Sequence, residues 1–351
     1  MHRPLEPARR IRSLEMQPGA LYKSRDIPTR RVNFMPRYAF YLIAGLLFSF
    51  SVFAARGPEV PDYQAEEMAP GVFVIHGPLD YPTPQNQGFM NNPAFLVTDS
   101  GVVVVDPGSS VQTGEMVLRQ IRKVTDKPLL AVLNTHVHGD HWLGNQAMRD
   151  AVPEVPIYGH PKMLEAVEAG AGQSWVDLMM RATEGATEGT EVVAPNKPVD
   201  DGDEIAVAGL TFRIHYYGHV HTHSDLMIEV PEKELLFLGD NANNGRIVRM
   251  DDGSFAGTVA ALEQLKKDAS AKVLVPGHGR TGGWEIVDAN RDYMATLYGS
   301  VETLFEEGLS DFEMKPQIVE QLVAFKDWVG FEDELGKHIS LAYLQAEEAA
   351  F

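Results

Sequence analysis

The chain has 351 residues, 44% hydrophobic and 23% charged, a composition that excludes general disorder and allows one large domain with additions or two domains. It contains no cysteine, which excludes disulfides and thiolate metal ligands and leaves His, Asp and Glu for any metal site. Nine of the 30 basic residues but only three of the 49 acidic ones lie in residues 1–55, so the remainder carries a net charge of about −25 and repels nucleic-acid phosphates.

The first 55 residues predict export. Residues 1–34 form a polar, basic leader that precedes a second candidate start at Met35, and residues 38–53 form an uncharged apolar run between Arg37 and the pair Ala54-Ala55. A basic flank, a short apolar run and small residues at its end are typical of a secretory signal peptide. We predict that residues 35–55 are this peptide or, alternatively, an uncleaved anchor that is the protein's membrane contact. The predicted location is the periplasm or the secreted fraction.

Short strand-like segments follow a proline-rich linker at residues 57–61. Their apolar patterns predict strands at residues 72–76, 94–98, 101–106 and 129–133. Residues 82–93, rich in Asn, Gln, Pro and Gly, predict a loop, and residues 108–124 predict a helix with Ser109 or Ser110 near its cap.

Residues 134–145, which read Asn-Thr-His-Val-His-Gly-Asp-His-Trp-Leu-Gly-Asn, directly follow the strand at 129–133. Three imidazoles and one carboxylate lie within six residues, a ligand set that suits zinc or another borderline divalent metal. In an extended segment His136 and His138 fall on the same side, whereas Gly139 allows a turn that directs Asp140 and His141 elsewhere. The stretch therefore predicts two metal ions, and the alternative of a polar loop with solvated histidines is disfavoured.

A second cycle of strands and helices follows. Strands are predicted at 156–159, 205–207, 210–217, 226–230, 234–238 and 272–275, and helices at 161–169, 174–182, 254–267 and from Trp284 onward. Two strand clusters separated by helices predict two sheets with helices outside, a layered α/β architecture. We assign one main domain to residues 62–300 and C-terminal helices to residues 301–351.

Two metal sites need more ligands than one stretch supplies, because three or four protein ligands per zinc are usual. Three further candidates follow predicted strands: His221, Asp240 and His278. Loops at strand ends are common places for catalytic groups, so we expect these residues at the same site.

The motifs THVHGDH (135–141), HT (221–222), FLGD (237–240) and PGHG (276–279), with the strand-terminal Asp106, resemble the metallo-beta-lactamase superfamily over residues 64–300. The resemblance implies a four-layer αββα sandwich with a C-terminal helical extension and a dinuclear metal centre at one edge. It implies that the first metal is held by His136, His138 and His221. It implies that the second is held by Asp140, His141 and His278. It also implies that Asp240 bridges the metals and that Asp106 orients a ligand imidazole.

Three further segments, residues 91–108, 221–226 and 253–265, resemble periplasmic zinc hydrolases linked to quinoprotein and sulfur-oxidation systems. Class B beta-lactamases are similar around residues 130–150, but some of them have a cysteine at the position of Asp240. A bridging aspartate is more typical of glyoxalase II-like hydrolases. Beta-lactam turnover is therefore disfavoured but not excluded.

The remaining histidines have weaker assignments. His219 is the next choice for the ligand role of His221, His223 is expected to be solvated, and His160 is a minor candidate for substrate contact. Packing or surface roles are expected for His76, His215 and His338.

Residues 81–92 and a helical insert at 166–188 are predicted to frame the substrate pocket. Its candidate apolar wall consists of Phe89, Met90, Trp175, Met179 and Met180, although plain helix packing is the favoured interpretation of Trp175 and the methionines. The helices beyond residue 301 could cover the site, pack on the sandwich or mediate dimerisation; the sequence predicts no oligomeric state.

Together these features predict a secreted hydrolase of a small-molecule ester, thioester, lactone or amide, in which two zinc ions share a hydroxide nucleophile. Asp140 and Asp240 are the predicted catalytic carboxylates, and iron or manganese are alternative metals. Three other functions stay open: a beta-lactamase, a mononuclear iron enzyme resembling persulfide dioxygenases, and a non-catalytic metal-binding accessory of a periplasmic redox system.

Overall fold

The computed structural model describes residues 56–350, so the predicted leader and signal peptide or anchor at 1–34 and 35–55 lie outside the described residues. Within the described range, twelve strands form two sheets. The first sheet has seven strands in chain order: β1 (Glu66–Ala69), β2 (Val72–Val74), β3 (Ala94–Val97), β4 (Val102–Val105), β5 (Leu129–Leu133), β6 (Ile157–Gly159) and β7 (Lys197–Pro198). The second has five, in the spatial order β12 (Val273–Pro276), β11 (Leu235–Gly239), β10 (Met227–Val230), β9 (Leu210–His215) and β8 (Glu204–Val207).

The helices connect and flank these strands. They are α1 (Val111–Val124), α2 (Gly139–Trp142), α3 (Asn145–Ala151), α4 (Pro161–Glu168), α5 (Ala171–Ala182), α6 (Phe255–Asp268), α7 (Glu285–Glu306), α8 (Asp311–Gln321) and α9 (Phe331–Ala350). Ser110 caps α1 by accepting a hydrogen bond from the Thr113 amide, so this helix begins three residues later than predicted. None of the helices in this range is both long enough and apolar enough to cross a membrane.

Successive side chains of each strand point to opposite faces of its sheet, and this alternation explains how the sheets and helices form layers. In β4, Val103 and Val105 face the core between the sheets, whereas Val102 and Val104 pack with residues of α1. In β11, Leu235 faces the same inter-sheet core, and the next residue, Leu236, packs with residues of α6 and α7. Both sheets are therefore covered by helices on their outer faces, which confirms the predicted αββα sandwich with C-terminal helices.

Parallel pairing brings the predicted site residues to one edge. Strands β4, β5, β6 and β7 run parallel, as do β11 and β12. Asp106 follows β4, the histidine stretch follows β5, Asp240 directly follows β11 and His278 lies just beyond β12. The carboxyl ends of β4, β5, β11 and β12 thus supply the site from both sheets.

The C-terminal helices form a cluster of their own. Side chains of α7, α8 and α9 enclose a second hydrophobic core, and residues 247–250, which follow β11, contribute Ile247, Val248 and Met250 to it. Helix α7 runs through residue 300, where the sequence suggested a domain boundary, and it packs against both α6 and α9. The helical extension is therefore continuous with the sandwich.

Candidate metal centre

Seven side chains named from the sequence converge at this edge. Ligand atoms within 4.8 Å of one another define a first group, His136, His138 and His221, and a second group, Asp140, His141 and His278. A third combination joins His136 and His141 to Asp240, so Asp240 lies between the two groups. All seven side chains except that of His138 are buried.

Four of the five imidazoles present the same nitrogen outward. Acceptors face Nδ1 of His141 (Asp106 Oδ2, 2.8 Å), His221 (the Arg249 carbonyl, 2.8 Å), His278 (the Met90 carbonyl, 2.9 Å) and His136 (Thr135 Oγ1, 3.0 Å). These partners place the proton on Nδ1 and leave Nε2 with a free lone pair directed at the cluster.

His138 has the opposite orientation. Its Nε2 lies 3.3 Å from Asp252 Oδ2, and its Nδ1 lies 2.9 Å from Nε2 of His221. With its proton held by Asp252, the Nδ1 lone pair of His138 points at the lone pair of His221. Two lone pairs that face each other at this distance suit a shared cation.

Asp106 supports ligands of both groups. Its carboxylate accepts hydrogen bonds from the Thr135 amide (2.8 Å), the Thr135 hydroxyl (2.6 Å) and His141 Nδ1 (2.8 Å). Because the Thr135 hydroxyl donates to Asp106, its oxygen is free to accept from His136 Nδ1. Asp106 has a φ of 50°, a left-handed conformation that costs energy for a residue other than glycine and is typical of functional sites.

Unpartnered atoms show that the site fits a metal. Among the described residues, the buried Nε2 atoms of His136, His141 and His278 and the Oδ1 atom of Asp240 make no hydrogen bond. Buried polar atoms are rarely left unpaired, and these four point into one cluster. Nitrogen and carboxylate oxygen donors of this kind suit zinc and related divalent ions.

The pKa values of histidines in the two groups shift in opposite directions. Burial lowers the pKa of His136 well below its ordinary value and, with the neighbouring His138, lowers that of His221 to about 3. Burial also disfavours charge on His141 and His278, but nearby carboxylates outweigh it and raise the pKa of both. His136 and His221 of the first group thus favour the neutral form, whereas His141 and His278 are coupled to negative charge.

The carboxylates remain ionised. Burial opposes the charge on Asp140 and Asp240, but the neighbouring His141 and His278 outweigh it and lower both pKa values.

Gly277 leaves room for Asp240, because a Cβ at this position would lie 2.0 Å from Asp240 Oδ1. This close approach explains the glycine that precedes His278.

A cavity of about 170 Å³ opens beside the cluster. The loop at residues 81–92 lines it with Tyr81, Pro82 and Met90, and the helical insert lines it with Trp175, Leu178 and Met179. Both segments therefore frame the pocket as the sequence suggested. The Trp175 ring lies 4.9 Å from the His138 ring, so the packing interpretation favoured for it from sequence is too narrow.

Two of the five candidates for the apolar wall do not line the cavity. Phe89 is fully buried in the core beneath the first sheet and packs against Tyr63, and Met180 is not among the residues that line the cavity. The periodicity of a short helix could not distinguish Met179 from its neighbour, because adjacent helical residues point about 100° apart and the orientation of the helix was unknown.

The search for site residues directly after predicted strands did not identify the polar residues that follow Asp240. Residues 241–252 line the cavity with Asn243, Arg246, Arg249, Asp251 and Asp252. Two arginines in a strongly acidic chain, placed directly after a strand-terminal ligand, were the available indication. The segment lacks helix or strand periodicity, so its orientation could not be predicted.

The other histidines lie outside the two groups. His219 stacks on His223 at 3.8 Å and donates a hydrogen bond from Nε2 to the Asp252 carbonyl, so it does not replace His221. His160 stacks on Tyr216, contacts Asp200 and does not line the cavity. Contacts away from the cluster also involve His76 with Thr281, His215 with Glu229 and His338 with Tyr293.

Known proteins are similar to this chain in sequence. A family model described as the metallo-beta-lactamase superfamily matches residues 87–278. A linear primary-alkylsulfatase from Pseudomonas sp. is 25% identical over 267 residues, which are 64% of this chain and 49% of that protein. A hydroxyacylglutathione hydrolase from Aeromonas hydrophila is 31% identical over 187 residues, which are 53% of this chain and 60% of that protein. The chain thus spans about half to three fifths of these two relatives.

Solved structures share the fold. A stereoselective inverting sec-alkylsulfatase from Pseudomonas sp. matches 81% of this chain and 50% of its own with a TM-score of 0.61 and 18% identity. A metallo-beta-lactamase from Pontibacter korlensis matches 66% of this chain and 98% of its own with a TM-score of 0.53 and 18% identity. At these identities the likeness concerns the fold alone.

Proposed function

The chain belongs to the metallo-beta-lactamase superfamily, and we propose that it is a hydrolase that uses two divalent metal ions, most simply zinc. The first group would hold one ion, the second group the other, and Asp240 would be shared between them. The observation that carries this proposal is the set of buried, unpartnered Nε2 and Oδ1 atoms that converge at the strand ends. The hydrolase relatives support the reaction class.

Bound zinc ions would polarise the substrate oxygen and lower the pKa of water at the site. The protein contributes orientation and proton transfer. Asp106 and Asp252 hold the outer nitrogens of His141 and His138, which fixes each ring and its tautomer. Asp140 faces the cavity in its ionised form, and we assign it the proton of the attacking water.

Arg246 favours a substrate with an anionic group. Its side chain is buried, and its Nη1 lies 3.0 Å from His278 Nδ1 and 3.3 Å from the Asp80 carbonyl. Its guanidinium lies 5.4 Å from the Tyr81 ring centre, and its Nε and Nη2 atoms make none of these contacts. Among the described residues no carboxylate lies within ion-pair distance of it, whereas the neighbouring Arg249 is paired with Asp251. A buried guanidinium with free donors binds carboxylate, sulfate or phosphate oxygens well.

The opposite wall of the cavity favours an apolar substituent. Trp175, Leu178 and Met179 line it without a charged group among them. An amphiphilic ester, thioester, lactone or amide with an acidic group therefore fits both walls. A sulfate ester of an alkyl chain is the second candidate, since it combines the same two features and the similar Pseudomonas protein is named an alkylsulfatase.

Three competing functions make different predictions. A beta-lactamase would prefer beta-lactams as substrates, and an iron enzyme resembling persulfide dioxygenases would carry one iron and no zinc. A metal-binding accessory would show no turnover of any substrate.

We also propose periplasmic or secreted location, supported by the apolar run at residues 38–53. A small molecule is the proposed partner.

The deciding experiment is metal quantification after periplasmic expression, combined with a hydrolysis panel. The panel contains beta-lactams, thioesters, lactones, carboxylic esters, and sulfate and phosphate esters, each with and without an acidic substituent. We expect two zinc ions per chain and turnover of an acidic, apolar ester or thioester. Absence of any turnover by the fully loaded protein would overturn the proposal in favour of the accessory function.

A further inference from the structure

One short stretch holds two ligands of the first group. Residues 245–253, here called the site segment, follow Asp240 and pass beside the cluster. The Arg249 carbonyl accepts a hydrogen bond from His221 Nδ1, and the Asp252 carboxylate contacts His138 Nε2. The site segment therefore fixes the ring orientation of two of the three imidazoles in that group.

The other side of the site segment rests on the C-terminal helices. Backbone hydrogen bonds join Ile247 N to the Val329 carbonyl at 2.9 Å and Val329 N to the Gly245 carbonyl at 3.0 Å, just before α9. Within α9, the Gln345 amide donates to the Gly253 carbonyl at 2.8 Å and accepts from the Phe255 amide at 3.0 Å.

Apolar packing strengthens this attachment. Ile247, Val248 and Met250 are at most 2% exposed, and they pack with Leu335 and Ile339 of α9. Buried apolar contact of this kind, together with satisfied backbone groups, gives a loop a single conformation. The helical extension thus contributes directly to the position of the site segment.

The second group has a different support. His141 is held by Asp106 at the end of β4, and His278 is held by the Met90 carbonyl in the loop before β3. Arg246 Nη1 also lies 3.0 Å from His278 Nδ1, but a guanidinium only donates, so it cannot hold the proton on that nitrogen. The acceptors that orient these imidazoles belong to the first sheet and its loops.

We propose that the C-terminal helices selectively set the metal affinity of the first group, through the site segment. The proposal rests on the proposed metal-dependent function. Gln345 and Asp252 are its positioning residues: Gln345 fixes the end of the site segment, and Asp252 fixes His138. Loss of a group that orients a ligand typically weakens metal binding by about 10- to 100-fold.

The test measures zinc affinity by competition with a chromophoric chelator, in two backgrounds of the full chain. His278→Ala leaves the first group intact, and His221→Ala leaves the second intact. In the His278→Ala background we expect Gln345→Ala to raise the zinc Kd about 10-fold, and Asp252→Ala to raise it about 10- to 100-fold. In the His221→Ala background both should change the Kd by less than about 2-fold, since their contacts are with the first group.

Two controls separate positioning from general damage. Asp252→Asn retains an acceptor for His138 Nε2 and should recover most of the affinity lost in Asp252→Ala. Gln321→Ala removes a hydrogen bond from Ser300 elsewhere in the same helical extension and should change neither Kd. Equal weakening in both backgrounds, or no weakening in either, would overturn this inference while the proposed function stands. A wild-type protein that binds no zinc would overturn both.

Discussion

The first and second groups lie side by side at one edge of the sandwich, yet they are held from different parts of the chain. The second group depends on acceptors from the first sheet and its loops, Asp106 and the Met90 carbonyl. The first depends largely on the site segment, which the C-terminal helices support. The comparison indicates that two neighbouring groups of candidate ligands can take their orientation from different parts of one chain.

Substitution of Asp240, the proposed shared ligand, should weaken metal binding by both groups alike. Asp240→Asn changes the carboxylate that adjoins His141, His221 and His278, so both metal sites should weaken. We expect turnover to fall by about a thousand-fold or more, because metal polarisation supplies several kcal/mol of transition-state stabilisation. Steady-state hydrolysis measures the loss, and His136→Ala should give a comparable one.

The fold should survive this substitution, because Asp240 lies at a strand end and takes no part in the inter-sheet core. Circular dichroism and the melting temperature of the metal-depleted protein provide the control. Wild-type turnover by either variant would contradict the assignment of these ligands.

Asp106→Ala should affect both groups but the second more directly. It leaves His141 without its acceptor, and it reaches His136 only through Thr135. We expect the zinc Kd of the second group to rise by about 10- to 100-fold, with a smaller rise for the first. Chelator competition in the His221→Ala and His278→Ala backgrounds distinguishes the two effects.

A matched control for Asp106 is Asp99→Ala, an exposed carboxylate in the turn before the same strand. It should leave zinc affinity unchanged. A larger effect of Asp106→Ala on the first group than on the second would reverse the proposed assignment of supports.

Arg246→Gln tests the substrate side of the site segment. The loss of charge-assisted hydrogen bonds, each about 1.5–3 kcal/mol, should raise KM for acidic substrates by about 10- to 100-fold. The KM of neutral esters should hardly change. Arg249→Gln is the comparison, and its effect should be smaller because Arg249 is already paired with Asp251. Equal losses for neutral and acidic substrates would count against anion recognition.

Trp175→Ala should have the smallest effect. The indole lines the cavity beside His138 but makes no hydrogen bond to a ligand. Loss of part of the apolar wall should raise KM for long-chain substrates by about 2- to 10-fold and leave zinc affinity unchanged. A fall in zinc affinity instead would show that Trp175 acts mainly on His138.

Local sequence patterns predicted two sheets with helices outside and placed the candidate ligands at strand ends, whereas the αββα sandwich and the grouping of the seven side chains were implied by the family resemblance. Alternating or continuous apolar runs identified most strands, including β5 with its observed bounds, and each candidate ligand followed such a run. The strands β1 and β7 and the helices α2 and α3 were missed, since they are short and carry little periodicity. The predicted ligand roles themselves remain proposals.

The residues that position the candidate ligands were harder to predict from the sequence. Asp252 and Gln345 are more than 90 residues apart, and only the packing of α9 under the site segment relates them to His138. For the C-terminal residues the sequence predicted only helices and left three roles open. Their observed role, packing against the sandwich and under the site segment, depends on long-range contacts that no local pattern encodes.

The most direct test of the two-metal account is stepwise zinc addition to metal-depleted full-length protein, with bound zinc and hydrolysis followed together. We expect no turnover without metal, binding that saturates at two ions per chain, and full activity only as both groups fill. Saturation at one ion, or turnover by the metal-free protein, would contradict it.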